Sequence, residues 1–138
     1  MFLLDTNVLS ELRRPERADA GVVTWAADAD PASLFVSAIS IFEIELGAAL
    51  AGRRDAVQGR MLRAWIDGRV MPIFRDRILP INAAIAQRCA HLHVPDRQPQ
   101  GDSLIAATAL VHRLTIVTRN VRDFEPMGVP ILNPWGAG

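Results

Sequence analysis

Short apolar runs alternate with longer stretches of helical periodicity along this 138-residue chain, and that alternation restricts its fold more than any other feature. Phe2, Leu3 and Leu4 form an apolar run that stops at Asp5, a pattern suited to a buried strand. Leu34 to Ser37, Thr115 to Thr118 and Val129 to Leu132 read the same way. Helical segments separate them. The first is capped by Thr6 or Asn7, runs to about Arg13 and is followed by Pro15; the second covers Ala18 to Ala29, with Val22, Val23, Trp25 and Ala26 on its apolar side. Ser40 opens a third helix to about Ala51, with Gly52 as its stop, and Ala56 to about Asp67 forms a fourth. Met71 to Ile81 leans towards strand but is interrupted by Pro72 and Pro80, which predicts edge strands or a loop. Asn82 caps a fifth helix to about Leu92, Val94 to Gly101 is loop, and Asp102 to His112 is a sixth helix. Strands that alternate with helices build a parallel sheet covered on both faces. The expected fold is therefore α/β, one domain over residues 1–138, with a mostly parallel central sheet flanked by helices on both faces.

Composition removes several chemistries. All 15 basic residues are Arg, so there is no Lys for a phosphate-binding P-loop or for a pyridoxal Schiff base. Cys89 is the single cysteine, which excludes an internal disulfide or a multi-cysteine zinc site and fits a reducing compartment. The start meets a carboxylate at position 5 and carries no basic stretch, so it does not read as a signal peptide. The apolar run Leu104 to Val111 is far short of the roughly 20 residues that span a bilayer. A cytoplasmic protein without membrane contact is expected. Fifteen acids balance the 15 Arg, so any nucleic-acid partner has to be met by a local patch.

Four acids stand out, and each has a structural reading beside the functional one. Asp5 ends an apolar strand, where a carboxylate is expensive to desolvate unless paired or bound to metal. Glu43 completes Ser40-Ile41-Phe42-Glu43, a capping-box pattern, yet Gly47 one turn on suggests that something approaches closely beside it. Asp102 follows Gly101 and sits in an N-cap context, and Asp123 caps a short turn ending in Phe124. As a set, carboxylates at strand ends and helix starts from distant points of the chain are what a hard divalent cation such as Mg²⁺ requires. Cys89, His91 and His93 make a poorer soft-metal cluster, because positions 91 and 93 of a helix point to different sides. Seven Arg lie between Arg53 and Arg77 against Asp55, Asp67 and Asp76; this is either a solvated helix face or a surface for phosphates.

Residues 2–12 (Phe-Leu-Leu-Asp-Thr-Asn-Val-Leu-Ser-Glu-Leu), Ser40 to Gly47 around Glu43, Asp102-Ser103-Leu104-Ile105-Ala106-Ala107, and Val117-Thr118-Arg119-Asn120-Val121-Arg122-Asp123-Phe124 resemble the ordered motifs of PIN-domain nucleases. Within that superfamily the chain looks like a VapC-type toxin of the FitB-like group. The resemblance spans essentially the whole chain. It implies a Mg²⁺- or Mn²⁺-dependent ribonuclease, with Asp5, Glu43 and Asp102 as the acidic core that holds metal. Asp123 matches a fourth acid, although Asn120 stands where other members place one, so either residue completes the site. Thr6, Thr118 and Asn120 would orient the acids or the attacking water. The family also implies a homodimer and a cognate VapB-like antitoxin, with Arg53, Arg54 and Arg60 serving either RNA or antitoxin. Two other readings compete. An Asp-nucleophile phosphatase of the haloacid-dehalogenase type would want a second Asp where Asn7 stands, and a Lys that the chain lacks. A non-catalytic module with the same fold would be expected to have lost at least one acid.

Overall fold

The computed structural model describes residues 1–136. Five strands, β1 (Phe2–Leu4), β2 (Leu34–Ser37), β3 (Ile78–Leu79), β4 (Thr115–Val117) and β5 (Ile131–Leu132), form one sheet in the order β3-β2-β1-β4-β5. Every neighbouring pair is parallel. Phe2 lies opposite both Leu34 and Thr115, which makes β1 the central strand. Its residues alternate between two cores, as a pleated strand requires. Leu4, Val36 and Val117 pack with Val8, Ile44, Ile66 and Phe74 on one face; Leu3 and Ile116 pack with Ile105, Ala106, Phe124 and Met127 on the other. Helices therefore cover both faces, as the alternation predicts.

The helices are α1 (Thr6–Leu12), α2 (Ala20–Asp28), α3 (Ala38–Arg54), α4 (Ala56–Trp65), α5 (Met71–Phe74), α6 (Ala83–Leu92), α7 (Gln100–His112) and α8 (Val121–Phe124). Their starts differ from the sequence reading for one recurring reason: the last residue of a strand, or the residue just after it, also caps the next helix. Asp5, in extended backbone, caps α1 in place of Thr6 or Asn7 by accepting from the Thr6 N–H. Ser37 ends β2 and caps α3 by accepting from Ile39, so the helix begins before Ser40. At its other end α3 runs through Gly52 to Arg54, because Gly52 faces Gly59 of α4 at a crossing where a Cβ on Gly59 would meet the Gly52 Cα at 2.5 Å. α7 begins at Gln100, with Pro99 at the cap position, so Asp102 is in the first turn and not the N-cap. Asn82 caps α6 as expected. The β-leaning stretch from Met71 divides. Pro72 sits in the first turn of α5, which continues without a break in helical backbone from α4 through a π-helical turn at Ile66–Val70. Only Ile78–Leu79 is strand, at the sheet edge that Pro80 tolerates. Among the described residues no helix is long and apolar enough to cross a membrane.

Phe124 is the largest fully buried side chain and closes the second core against Leu3 and Ile116. Phe124→Ala is expected to lower unfolding free energy by about 3–5 kcal/mol, read as a shift in the urea midpoint with unchanged slope.

Candidate functional site

The strand order sets the site before any side chain is considered. From β1 the chain works outward to β2 and β3, then returns to β4 on the other flank of β1. Loops leaving β1 and β4 therefore diverge and open a crevice at the carboxyl ends of the strands. Asp5 directly follows β1 and Thr118 directly follows β4. The Asp5 N–H donates to Val117 O at 2.9 Å, and the buried Asp5 carboxylate accepts from the Thr6 N–H and the Thr118 hydroxyl, each at 2.8 Å. Thr118 Oγ1 in turn accepts from the Asn120 N–H at 2.9 Å and from the Asn7 amide at 3.3 Å. Both lone-pair directions of the hydroxyl are then used, and Asp5 has little freedom to rotate.

Glu43 enters from α3 as its sixth residue, so the capping-box pairing with Ser40 does not form. Ser40 is buried inside the helix and shares a 2.9 Å hydrogen bond with the Thr6 hydroxyl, which also donates to Glu43. The close approach beside Glu43 is real, but Gly47 does not make it; that glycine faces open space. Gly101 at the start of α7 does, since a Cβ there would stand 3.3 Å from Glu43 Oε2. Asp102 is the next residue. Behind it, His93 Nδ1 accepts from the Gln98 N–H at 3.1 Å, leaving Nε2–H to donate to Ser103 Oγ at 3.0 Å, while Ser103 donates to Gln100 O at 2.9 Å. That network ties the loop after α6 to the first turn of α7 and holds Asp102 over the crevice.

Asp5, Thr6, Glu43, Asp102 and Asn120 line a crevice of about 510 Å³. Asp123 stands outside it on α8, exposed, but close enough for its charge to act on Asp5 and Asp102. The sequence reading missed Asn7, Ser10, Glu11, Arg119 and Trp135 in the same wall. A larger hollow of about 720 Å³ between α2 and β5 is mostly apolar, and its one ionisable lining residue, Asp19, is already spent capping α2. Arg53, Arg54 and Arg60 lie elsewhere: Arg53 is ten residues beyond Glu43, about 15 Å along α3. Among the described residues these three make no ion pair, whereas Arg63 pairs with Glu45 and Asp67, and Arg77 donates to Leu34 O and Ile73 O.

Electrostatics single out the crevice. Burial raises the Asp5 carboxyl above its ordinary value; the Thr118 and Thr6 hydrogen bonds oppose the rise, and Glu43 and Asp123 add to it. Burial, then Asp5, Asp123 and Glu43, push Asp102 up to about 6. Among the described residues none of these acids has a cationic partner. Mutually repelling carboxylates without a counter-charge form an all-oxygen donor set that suits Mg²⁺ or Mn²⁺. Asn7 Oδ1, buried and without a hydrogen-bond partner among the described residues, adds an acceptor suited to a hydrated ion. No three His, Cys, Asp or Glu side chains among the described residues are already drawn into a metal-binding cluster. Glu43 turns to Thr6, and Asp5 to Thr118 and its own helix. Of Cys89, His91 and His93 only two meet: the Cys89 thiol and the His93 ring lie 3.9 Å apart and both contact Ser103, while His91 turns away to Gln87 O.

A doubly wound parallel sheet with unpaired carboxylates lining the crevice at its switch point defines the class, an α/β protein with an acidic crevice. A PIN domain family model matches residues 2–128, and the chain belongs to that family. It is similar to the VapC ribonuclease Y4jK of Sinorhizobium fredii, with 34% identity over 98% of both chains. The crystal structure of FitAcB from Neisseria gonorrhoeae superposes with a TM-score of 0.89 at 33% identity, covering 99% of each chain. A toxin-antitoxin complex from Klebsiella pneumoniae superposes with a TM-score of 0.70 at 27% identity, covering 98% of each.

The repulsion at Asp102 has a measurable sign. Its folded pKa, about 6, lies above the ordinary 3.8, so its charge opposes folding once the pH passes about 6. In EDTA, stability is expected to fall as pH climbs from about 4 to 6, and Asp102→Asn to reduce that fall, leaving the part due to Asp5, and to stabilise the fold near pH 7 by about 1 kcal/mol after solvent screening. Thermal unfolding across that pH range checks it; a destabilised variant at pH 7 would refute the repulsion.

Proposed function

We propose that this chain is a divalent-cation-dependent endoribonuclease toxin, a PIN domain over residues 1–138 that hydrolyses RNA phosphodiester bonds in the cytoplasm and is neutralised by a VapB-like antitoxin. The observation that carries this reading is the set of unneutralised acids at the switch point of the sheet. Similarity to a VapC ribonuclease over nearly the full length of both chains supports the activity, and similarity to a toxin-antitoxin complex supports the partner.

Asp5, Glu43 and Asp102 would hold Mg²⁺ or Mn²⁺, with Asp123 as the outer fourth acid. When bound, the ion supplies a water of lowered pKa and positive charge against the phosphate. The chain's own residues do the positioning. Thr118 and the Thr6 N–H lock the Asp5 carboxylate, the Thr6 hydroxyl locks Glu43, and Asn120 braces Thr118 through its backbone N–H. With Asp5, Glu43, Asp102 and Asp123 neutralised, eleven acids face 15 Arg on the remaining surface, a balance that suits a polyanion. Purified protein is expected to cleave RNA with Mg²⁺ or Mn²⁺, and to lose at least about a hundredfold in rate with EDTA or as Asp5→Asn. Cleavage that survives both treatments would sink the mechanism.

The same helix that presents Glu43 carries Phe42, Leu46 and Leu50 on its outer side, continued by Val57 and Met61 of α4; all five are exposed apolar side chains. We assign this stripe, flanked by Arg53, Arg54 and Arg60, to the antitoxin, and we read the free toxin as a homodimer. Leu46→Asp is expected to abolish neutralisation by the antitoxin in a co-purification and cleavage assay while leaving RNA cleavage intact. Sedimentation of the same variant reads the dimer independently.

A further inference from the structure

Two side chains in the crevice wall have no part in holding a cation. Arg119 follows Thr118 directly, and its guanidinium carbon lies 5.9 Å from the centroid of the Trp135 indole. Asp5, Glu11, Glu43 and Asp102 line the same crevice, yet among the described residues Arg119 pairs with none of them. A guanidinium beside several carboxylates lies instead over the face of an indole, within cation–π reach of it.

The indole is delivered to that place by a built strap. After β5 the Trp135 N–H donates to Asn133 Oδ1 at 2.9 Å, and the Gly136 N–H reaches Asp19 Oδ2 at 3.4 Å. Pro134 is buried against the start of α2, where Gly21 leaves the space that its carbonyl fills; a Cβ on Gly21 would stand 2.4 Å from Pro134 O. Trp135 also packs against the core around Leu4 and Val117, so the sheet backs the indole and the indole backs Arg119. The exposed Arg119 guanidinium thus lies over a ring that the sheet supports, in the wall of the acidic crevice.

We propose that Arg119, backed by Trp135, is a nucleobase platform that takes one unpaired base of single-stranded RNA next to the phosphate held at the acids. The platform rests on the ribonuclease reading and adds to it a substrate class. Planar guanidinium and aromatic groups stack on any base, which makes the contact tolerant of sequence. In a duplex both faces of each base are covered by neighbours, so only a strand end, loop or single strand can use it. The neighbouring phosphate gains a charge-assisted contact from the same side chain.

The test uses the full chain with Ca²⁺ filling the acidic site and a labelled single-stranded oligoribonucleotide of mixed sequence, read by anisotropy. Trp135→Leu and Arg119→Ala are each expected to weaken binding about tenfold, and Trp135→Phe to retain most of it. Mn²⁺ affinity by calorimetry should be unchanged in all three, and binding of a duplex of the same sequence unaffected by Trp135→Leu. In an oligonucleotide that the protein cleaves, an abasic nucleotide at one position flanking the cut should lower kcat/KM about tenfold for the wild type and cost nothing further in Trp135→Leu. Folded variants that bind single strands like the wild type would overturn the platform and leave the ribonuclease reading standing, as would equal losses on single strands and duplex, which mean charge without stacking. A wild type that takes up Mn²⁺ but neither binds nor cleaves RNA would overturn the ribonuclease reading, and the platform with it.

Discussion

One hydroxyl joins the two halves of the sheet at the point where the chemistry is concentrated. Thr118 at the end of β4 donates to the carboxylate of Asp5 at the end of β1, and these adjacent parallel strands send their chains in opposite directions. Without that bond the crevice would still exist, because strand order alone creates it, but its central carboxylate would be a buried acid held only by the Thr6 N–H. Burying such a group costs several kcal/mol unless hydrogen bonds or an opposite charge compensate it. Two hydrogen bonds compensate Asp5 in part. Burial, with Glu43 and Asp123 adding to it, still holds the carboxyl above its ordinary value, a penalty that a nearby positive charge would relieve.

The same accounting links stability to function. Asp102 sits in the first turn of α7, whose amide dipoles favour a carboxylate, yet desolvation and three neighbouring acids outweigh that benefit. A chain selected only for stability would place Asn there. Under the proposed function a divalent ion held at Asp102 would relieve that repulsion, and cation and fold would then stabilise each other by ordinary linkage. The His93–Ser103–Gln100 network carries the mechanical side of this arrangement, since it holds the α7 start against repulsion that would otherwise push it outward.

Much of this was legible in the sequence because the informative patterns are local. Apolar runs three or four residues long, broken by caps and prolines, locate four of the five strands and most of the helices. Errors cluster where one residue serves two elements. Asp5 ends its strand and caps α1, and Ser37 ends β2 and caps α3, so Ser40 looked like the cap and Glu43 like its partner. The capping box that competed with a functional role for Glu43 does not form, and Glu43 is held instead by Thr6, thirty-seven positions away. Pro72 misled in the opposite direction, since a proline at a helix start and one interrupting a strand look alike until the preceding turn is known.

Arg119 and Trp135 show where local reading ends. Arg119 lay inside a recognised motif and Trp135 after the last strand, with no periodicity or spacing connecting either to Asp5. Their meeting depends on a strap pinned by Asn133 and Asp19, and on the missing side chain of Gly21, more than a hundred positions from Pro134. Such a contact is specified by shape, which a single sequence records only as an unremarkable glycine. It also changes the meaning of zero net charge. Four of the 15 acids are Asp5, Glu43, Asp102 and Asp123, which leaves eleven against 15 Arg elsewhere, and in the crevice wall Arg119 lies over an aromatic ring and pairs with no acid among the described residues. An ion pair there would cancel the charge of both partners; over the indole, Arg119 leaves the acids unpaired and its own charge uncancelled.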